Sequence, residues 1–194
     1  MPHIAIVIVA GGEANRFPGK LEYDIAGTPL LLRVYGNLRG EYPICVSARA
    51  SFSPQIDAAL ECPMVIDRGT RRGPFGGLTA ACEYLRAERI FAVAGDAPSI
   101  TLDVLRVLAA AWRPGDEVVV PEHDGRLEPL AALYDRAAFL RASRAAVERG
   151  SYALHAVLDA MAVRRVALPS ALFLNVNTLA DLPATIPEDS KGIA

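Results

Sequence analysis

Four groups of residues in this chain have types and spacings that could do chemistry. The first is A-G-G-x-x-x-R-x-x-x-K, which ends an apolar run in Gly11 and Gly12 and continues to Arg16 and Lys20. Paired glycines let the backbone turn sharply and bring its N–H groups close to a ligand. An arginine and a lysine at the same place add the positive charge that a polyphosphate requires. The second is Gly95-Asp96-Ala97-Pro98, directly after another apolar run. A carboxylate beside phosphates is a natural ligand for Mg²⁺, which is held by one or two carboxylates together with phosphates and water. Asp96 as a helix cap is the plain alternative, but Ser99 and Thr101 are better placed to cap the helix that follows. The third is Arg68-Gly69-Thr70-Arg71-Arg72, followed by Gly73, Gly76 and Gly77. It reads either as a basic loop opening onto free helix N–H groups or as a solvated surface loop. The fourth is Asn175-Val176-Asn177. Its spacing of two puts both amides on one face of an extended segment, able to hold a polar ligand or a metal, or simply to shape a turn.

These residues must be positioned by strands and helices, and the sequence shows where. Apolar runs at His3–Ala10, Tyr42–Ala48, Met64–Asp67 and Ile90–Gly95 predict strands. Amphipathic stretches at Thr28–Arg39, from Ser53-Pro54, Gly76–Arg89 and Thr101–Trp112 predict helices. The alternation predicts an α/β fold of three layers, a doubly wound and mostly parallel sheet covered on both faces. The pattern then changes. Glu117–Pro121 and Pro129–Tyr134, separated by the polar turn Glu122–Arg126, predict a small mixed-strand elaboration, either a hairpin or a mixed edge of the sheet. Helices at Ala137–Arg149 and Tyr152–Met161, a strand at Val163–Leu168 and a short helix after Asn177 complete the expectation. Residues 1–186 are read as a single domain and 187–194 as a frayed tail.

Composition narrows the function. A hydrophobic content of 52% supplies a full core, which argues against disorder. A net charge of −2 gives no global basic field to hold nucleic acid, so a charged ligand must be held by local groups. Cys45, Cys62 and Cys82 make no paired metal motif and read as buried reduced thiols. His3, His123 and His155 are scattered. No basic segment precedes the first strand and no apolar run is long enough to cross a bilayer, so a cytoplasmic enzyme is expected. G-x-G-x-x-G is absent, and Lys20 is followed by Leu21, so neither the dinucleotide fingerprint nor the Walker A loop fits.

Taken in order, VAGGEANRFPGK, GTPLL, DRGTRRGPFGGL, AGDAPSI, PLAALY and FLNVNT resemble the segments of the molybdenum cofactor guanylyltransferases, the MobA-type branch of the nucleotidyltransferase superfamily. The related cytidylyltransferases usually open L-A-A-G and lack two of the later segments. The resemblance implies transfer of GMP from GTP to the terminal phosphate of molybdopterin, with release of pyrophosphate and a requirement for Mg²⁺. Proteins that deliver or receive the cofactor are implied as further partners. It also implies roles for individual residues. Val9, Ala10, Gly11 and Gly12 would contact the nucleotide, Lys20 its phosphates, with Arg16 beside it, and Asp96 the metal. Asp67 would face the guanine, whose N1–H and exocyclic amine are two adjacent donors that a carboxylate accepts together. Asn175 and Asn177 would lie on the pterin side. Three features depart from the family pattern: the loop is one residue shorter between Arg16 and Lys20, Gly19 replaces an aspartate, and Ser47 stands at the base pocket where asparagine is frequent. Two other readings remain: another nucleotidyltransferase (CTP to molybdopterin, or GTP to a different phosphorylated acceptor), and a non-catalytic nucleotide-binding homologue.

Overall fold

The structure is a computed structural model describing residues 3–11, 19–69 and 73–174. Strand β1 (Ile4–Val9) is buried along its whole length. Its side chains alternate between two cores: Ile4, Ile6 and Ile8 join one, and Ala5, Val7 and Val9 the other. A strand apolar on both faces must be covered on both. One cover is α1 (Leu30–Leu38), entered from a two-stranded ribbon of β2 (Asp24–Ile25) and β3 (Thr28–Pro29), with α2 (Pro54–Ala59) and α4 (Leu102–Ala111) beside it. These helices bring Leu31, Val34, Ile56 and Leu105 to the first core. The other cover is α3 (Pro74–Tyr84), α5 (Arg136–Glu148) and α6 (Leu154–Leu158), which bring Phe75, Leu78, Phe139 and Val157 to the second.

The remaining strands are β4 (Ile44–Ala48), β5 (Met64–Ile66), β6 (Arg89–Ala94), β7 (Val118–His123), β8 (Arg126–Leu127), β9 (Leu133–Asp135) and β10 (Val163–Ala167). The main sheet runs β10-β7-β9-β6-β1-β4-β5, with β8 paired to β7. β1 is parallel to both β4 and β6, and β4 to β5. β9 is antiparallel to β6 and to β7. The three-layer, mostly parallel α/β fold expected from the alternation is therefore present.

Several local expectations are corrected. The mixed strand is not at an edge: β9 lies inside the sheet between β6 and β7, and β10 forms the edge. The hairpin is β7–β8, closed by Asp124 and Gly125, both at positive φ, the backbone that a tight two-residue hairpin turn requires. The first half of the predicted Pro129–Tyr134 strand is a 3₁₀ turn, Pro129–Ala131. α3 stops at Tyr84, and Arg89 already belongs to β6. α1 starts two residues late because Thr28 and Pro29 pair with Ile25 and Asp24.

Register is what matters for function. Val9 lies opposite Ser47 on one side and Ala94 on the other. The carboxyl ends of β1, β4 and β6 are therefore level, and the loops leaving these three strands emerge along one edge of the sheet. Ligands bind at that edge in open α/β sheets.

Candidate active site

At this edge the chain after β1 and the chain after β6 are locked together. The Gly95 N–H donates to the Val9 carbonyl at 3.0 Å, and the Ala10 N–H donates to the Ser47 carbonyl at 2.7 Å. A Cβ on Gly95 would lie 3.4 Å from the Ala10 Cα and the Val9 oxygen. Glycine permits this approach, and so Asp96 leaves the sheet beside Ala10 and Gly11. Asp96 is not consumed as a cap. Thr101 does that work, accepting from the Asp103 N–H at 3.3 Å.

Lys20 arrives from the other direction. Gly19, at φ 73°, turns the chain into a 3₁₀ turn over Lys20–Glu22. The Glu22 carboxylate accepts from the Ser53 N–H at 3.1 Å and ties the turn to α2. The Lys20 ammonium donates directly to the Asp96 carboxylate. The two side chains are only 17% and 16% exposed, so the pair is shielded from most of the screening that weakens surface ion pairs. Despite the short loop before it, Lys20 reaches the sheet edge and shares one cleft with Asp96.

That cleft is a cavity of about 460 Å³, within the range of small-molecule sites. Val9, Ala10 and Gly11 line it together with Lys20 and Asp96. Much of the remaining lining is apolar: Leu130 from the 3₁₀ turn before β9, Leu154 from α6, Phe173 and Phe75. Tyr152, half exposed, stands edge-on to Phe75 with centroids 5.9 Å apart.

Two residues expected at the base pocket do not line this cavity. Ser47 is fully buried, and its hydroxyl donates at 2.8 Å to the Gly77 carbonyl in α3. It does not line the cavity, and its side chain fastens α3 to the back of β4. Gly77 must be small for this: a Cβ there would come within 3.1 Å of the Ser47 Oγ. Asp67 is buried at the end of β5, two strands from β1. It accepts from the Gly69 N–H at 2.9 Å, and Arg49 Nη1 lies 3.4 Å from its other oxygen. Arg68 is exposed. Gly12, Arg16, Arg71, Arg72, Asn175 and Asn177 lie outside the described residues.

Sequence reasoning missed Arg49 and Glu128. Arg49 follows β4 directly, and its Cγ would be 3.6 Å from a Cβ on Gly11. It also donates to the Gly69 carbonyl at 2.9 Å, bracing the loop after β5. Its position one residue past a strand ending level with β1 was the available signal. Glu128 lines the same cavity from the segment between β8 and β9, on the far side of β6 from β1 in the strand order. It comes directly after the β7–β8 hairpin, a segment legible only as a polar turn.

Among the described residues no group of three or more His, Cys, Asp or Glu side chains could hold a metal, and no helix is long and apolar enough to cross a membrane. The Asp96 carboxylate in the cleft is an oxygen donor of the kind that, together with phosphates and water, fits Mg²⁺.

This mixed but mostly parallel sheet is shared with solved structures of known proteins. A molybdopterin-guanine dinucleotide biosynthesis protein A from Archaeoglobus fulgidus superposes with a TM-score of 0.78 at 22% identity, covering 93% of this chain and 96% of that one. The 2-C-methyl-D-erythritol 4-phosphate cytidylyltransferase from Thermus thermophilus superposes with 0.71 at 17% identity, covering 95% and 97%. The model of the MobA-like NTP transferase domain matches residues 6–166, and the chain belongs to that family. A probable molybdenum cofactor guanylyltransferase of Mycobacterium marinum is 32% identical over 94% of this chain and 93% of its own length. One from Rhodopirellula baltica is 31% identical over 94% and 93%.

Proposed function

We propose that this protein transfers GMP from GTP to the terminal phosphate of molybdopterin, releasing pyrophosphate, and that the reaction requires Mg²⁺. The observation that carries this reading is the direct Lys20–Asp96 contact in a cleft at the carboxyl ends of β1 and β6. Family membership and the names of the relatives support the choice of substrates.

The chemistry makes modest demands on the protein. A phosphate monoester has its second pKa near ~6, so the attacking group is already mostly dianionic at neutral pH. No side chain has to remove a proton. The obstacle is that two anions must meet, and catalysis becomes positioning plus charge stabilisation. Val9, Ala10 and Gly11 form the floor on which the nucleotide rests, close to backbone. Lys20 turns from Asp96 to the phosphates and offsets charge on the α-phosphoryl and leaving group. Arg16 is assigned the same role. Asp96 would hold Mg²⁺, which would supply further neutralisation of phosphate charge. Ser47 keeps α3 against the sheet, while Arg49 and Asp67 shape the edge beside Gly11 where the guanosine lies. Asn175 and Asn177 are assigned to the acceptor.

The test is incubation with GTP labelled at the α-phosphate, Mg²⁺ and molybdopterin, followed by separation of products. Label in a pterin dinucleotide, with one pyrophosphate per product, supports the reading. Preference for CTP over GTP, or nucleotide binding without pyrophosphate release, rejects it.

A further inference from the structure

The cavity extends beyond Lys20 and Asp96, and its far side carries a charged group that the proposed phosphate chemistry leaves unused. Glu128 lines this part, and its side chain is 27% exposed. Its backbone is fixed at both ends: its N–H donates to the Pro121 carbonyl at 3.0 Å, and its carbonyl accepts from the Ala131 N–H at 3.1 Å. The carboxylate is fixed as well. His123 Nε2 lies 2.8 Å from Oε1, and the carboxylate being an acceptor, that nitrogen carries the proton. The imidazole is itself held, stacked on Phe173 with centroids 4.9 Å apart and planes 9° from parallel. On its other side Asp124 lies 3.4 Å from Nδ1. A carboxylate braced in this way is preorganised, with its second oxygen uncommitted to His123. It stands beside apolar walls made by Leu130, Leu154 and Phe173, with the exposed ring of Tyr152 nearby.

A flat heterocycle sandwiched by apolar groups and presenting two adjacent N–H donors is what this arrangement fits. Guanine and a pterin both have that edge, but the nucleotide is assigned to Gly11, after β1, whereas Glu128 precedes β9, beyond β6 and Asp96 in the strand order. We propose that Glu128 is a specificity-determining residue for the acceptor, accepting hydrogen bonds from the ring amide N–H and 2-amino group of its pterin, with His123 as the positioning residue that aims it. This rests on the functional reading above and adds the residue that would distinguish the acceptor by its heterocycle.

The experiment uses pterin and lumazine as probes, the latter having a carbonyl where pterin has its 2-amino group. Binding of each is followed by fluorescence with Mg²⁺ and the non-hydrolysable α,β-methylene analogue of GTP at saturation, so that the nucleotide's own site is filled. Wild-type protein is expected to bind pterin at least about tenfold more tightly than lumazine, the order of one charge-assisted hydrogen bond. Glu128→Gln, whose amide can face a carbonyl, should abolish or reverse that preference while leaving the affinity for the GTP analogue unchanged. His123→Gln should reduce the preference partially. Equal binding of the two pteridines by the wild type, binding of neither, or an intact preference in Glu128→Gln overturns the proposal. So does a Glu128→Gln variant whose defect is in the GTP analogue. Failure of the wild type to bind the GTP analogue at all is a separate result, and it removes the functional reading instead.

Discussion

Replacing Lys20 by methionine should produce two opposite effects, and both follow from its contact with Asp96. In the structure the Lys20 ammonium sits where a cation on Asp96 would sit. Two unit charges about 4 Å apart at an effective dielectric near 20 attract by about 4 kcal/mol. Desolvation removes much of this, and a hydrogen bond between charged groups nets about 1.5–3 kcal/mol. A divalent ion binding without nucleotide must displace that contact, so wild-type affinity is lowered by roughly tenfold or more. Lys20→Met keeps the aliphatic stem and removes the competitor. Its affinity for Mn²⁺, read from the free-ion signal in electron paramagnetic resonance without nucleotide, should rise by about tenfold. Its rate of pyrophosphate release should fall by about a hundredfold, the usual cost of losing one charge-stabilising contact at the reacting phosphoryl. Asp96→Asn should lose both Mn²⁺ binding and turnover. A Lys20→Met variant that binds Mn²⁺ no better than the wild type refutes the competition. One that turns over at the wild-type rate removes Lys20 from the reaction.

Other consequences concern the support around the site. Gly77→Ala drives a methyl to 3.1 Å from the Ser47 hydroxyl and 3.4 Å from Val9 Cγ1. It should destabilise the fold by roughly 1–3 kcal/mol, as overpacking does; a denaturant midpoint equal to the wild type's would show that α3 is not seated as described. Ser47→Ala should cost about 1 kcal/mol of stability and leave the choice between GTP and CTP unchanged, whereas altered base preference would place its hydroxyl in contact with ligand. Burial pushes the Cys45 thiol up to about 12 and raises that of Cys82 further. Iodoacetamide at neutral pH should therefore modify the half-buried Cys62 first by mass spectrometry, and early labelling of Cys82 would contradict the packing of α3. The bond to Glu128, with a smaller contribution from Asp124, raises the pKa of His123 above its ordinary value near 6.5. A folded-state pKa raised in this way adds stability that is fully present below the unfolded value and is lost as pH rises through the folded one. The Tm deficit of His123→Gln should thus be larger at pH 6 than at pH 9; the reverse order would disprove the pairing.

Much of this architecture is legible in the amino-acid order. The uninterrupted apolar runs of β1 and β6 required a sheet covered on both faces, and Thr101 was recognisable as the cap that leaves Asp96 free. Lys20 and Asp96 could be brought together because each follows, or loops back to, a strand end on the same edge. The hidden features depended on non-local pairing. Nothing in residues 133–135 announces that they insert between β6 and β7, because register and order are set by partners far along the chain. Glu128 was invisible for the same reason: its meaning comes from a hairpin folding His123 back onto it. For the Ser47 side chain, which the structure turns toward α3, a parity argument was available. It shares the face of β4 with Cys45, which belongs to the core under α3, so its hydroxyl had to point at that helix.

The proposed mechanism requires Lys20 and Asp96, paired in the structure, to exchange partners when a triphosphate enters the β1/β6 cleft. A crystal structure with Mg²⁺ and the α,β-methylene analogue of GTP tests this directly. The expected result is a triphosphate beside Gly11, a metal on Asp96, and the Lys20 ammonium turned from the carboxylate to the phosphates. A nucleotide bound elsewhere, or one bound in the cleft while Lys20 and Asp96 remain paired, would contradict it.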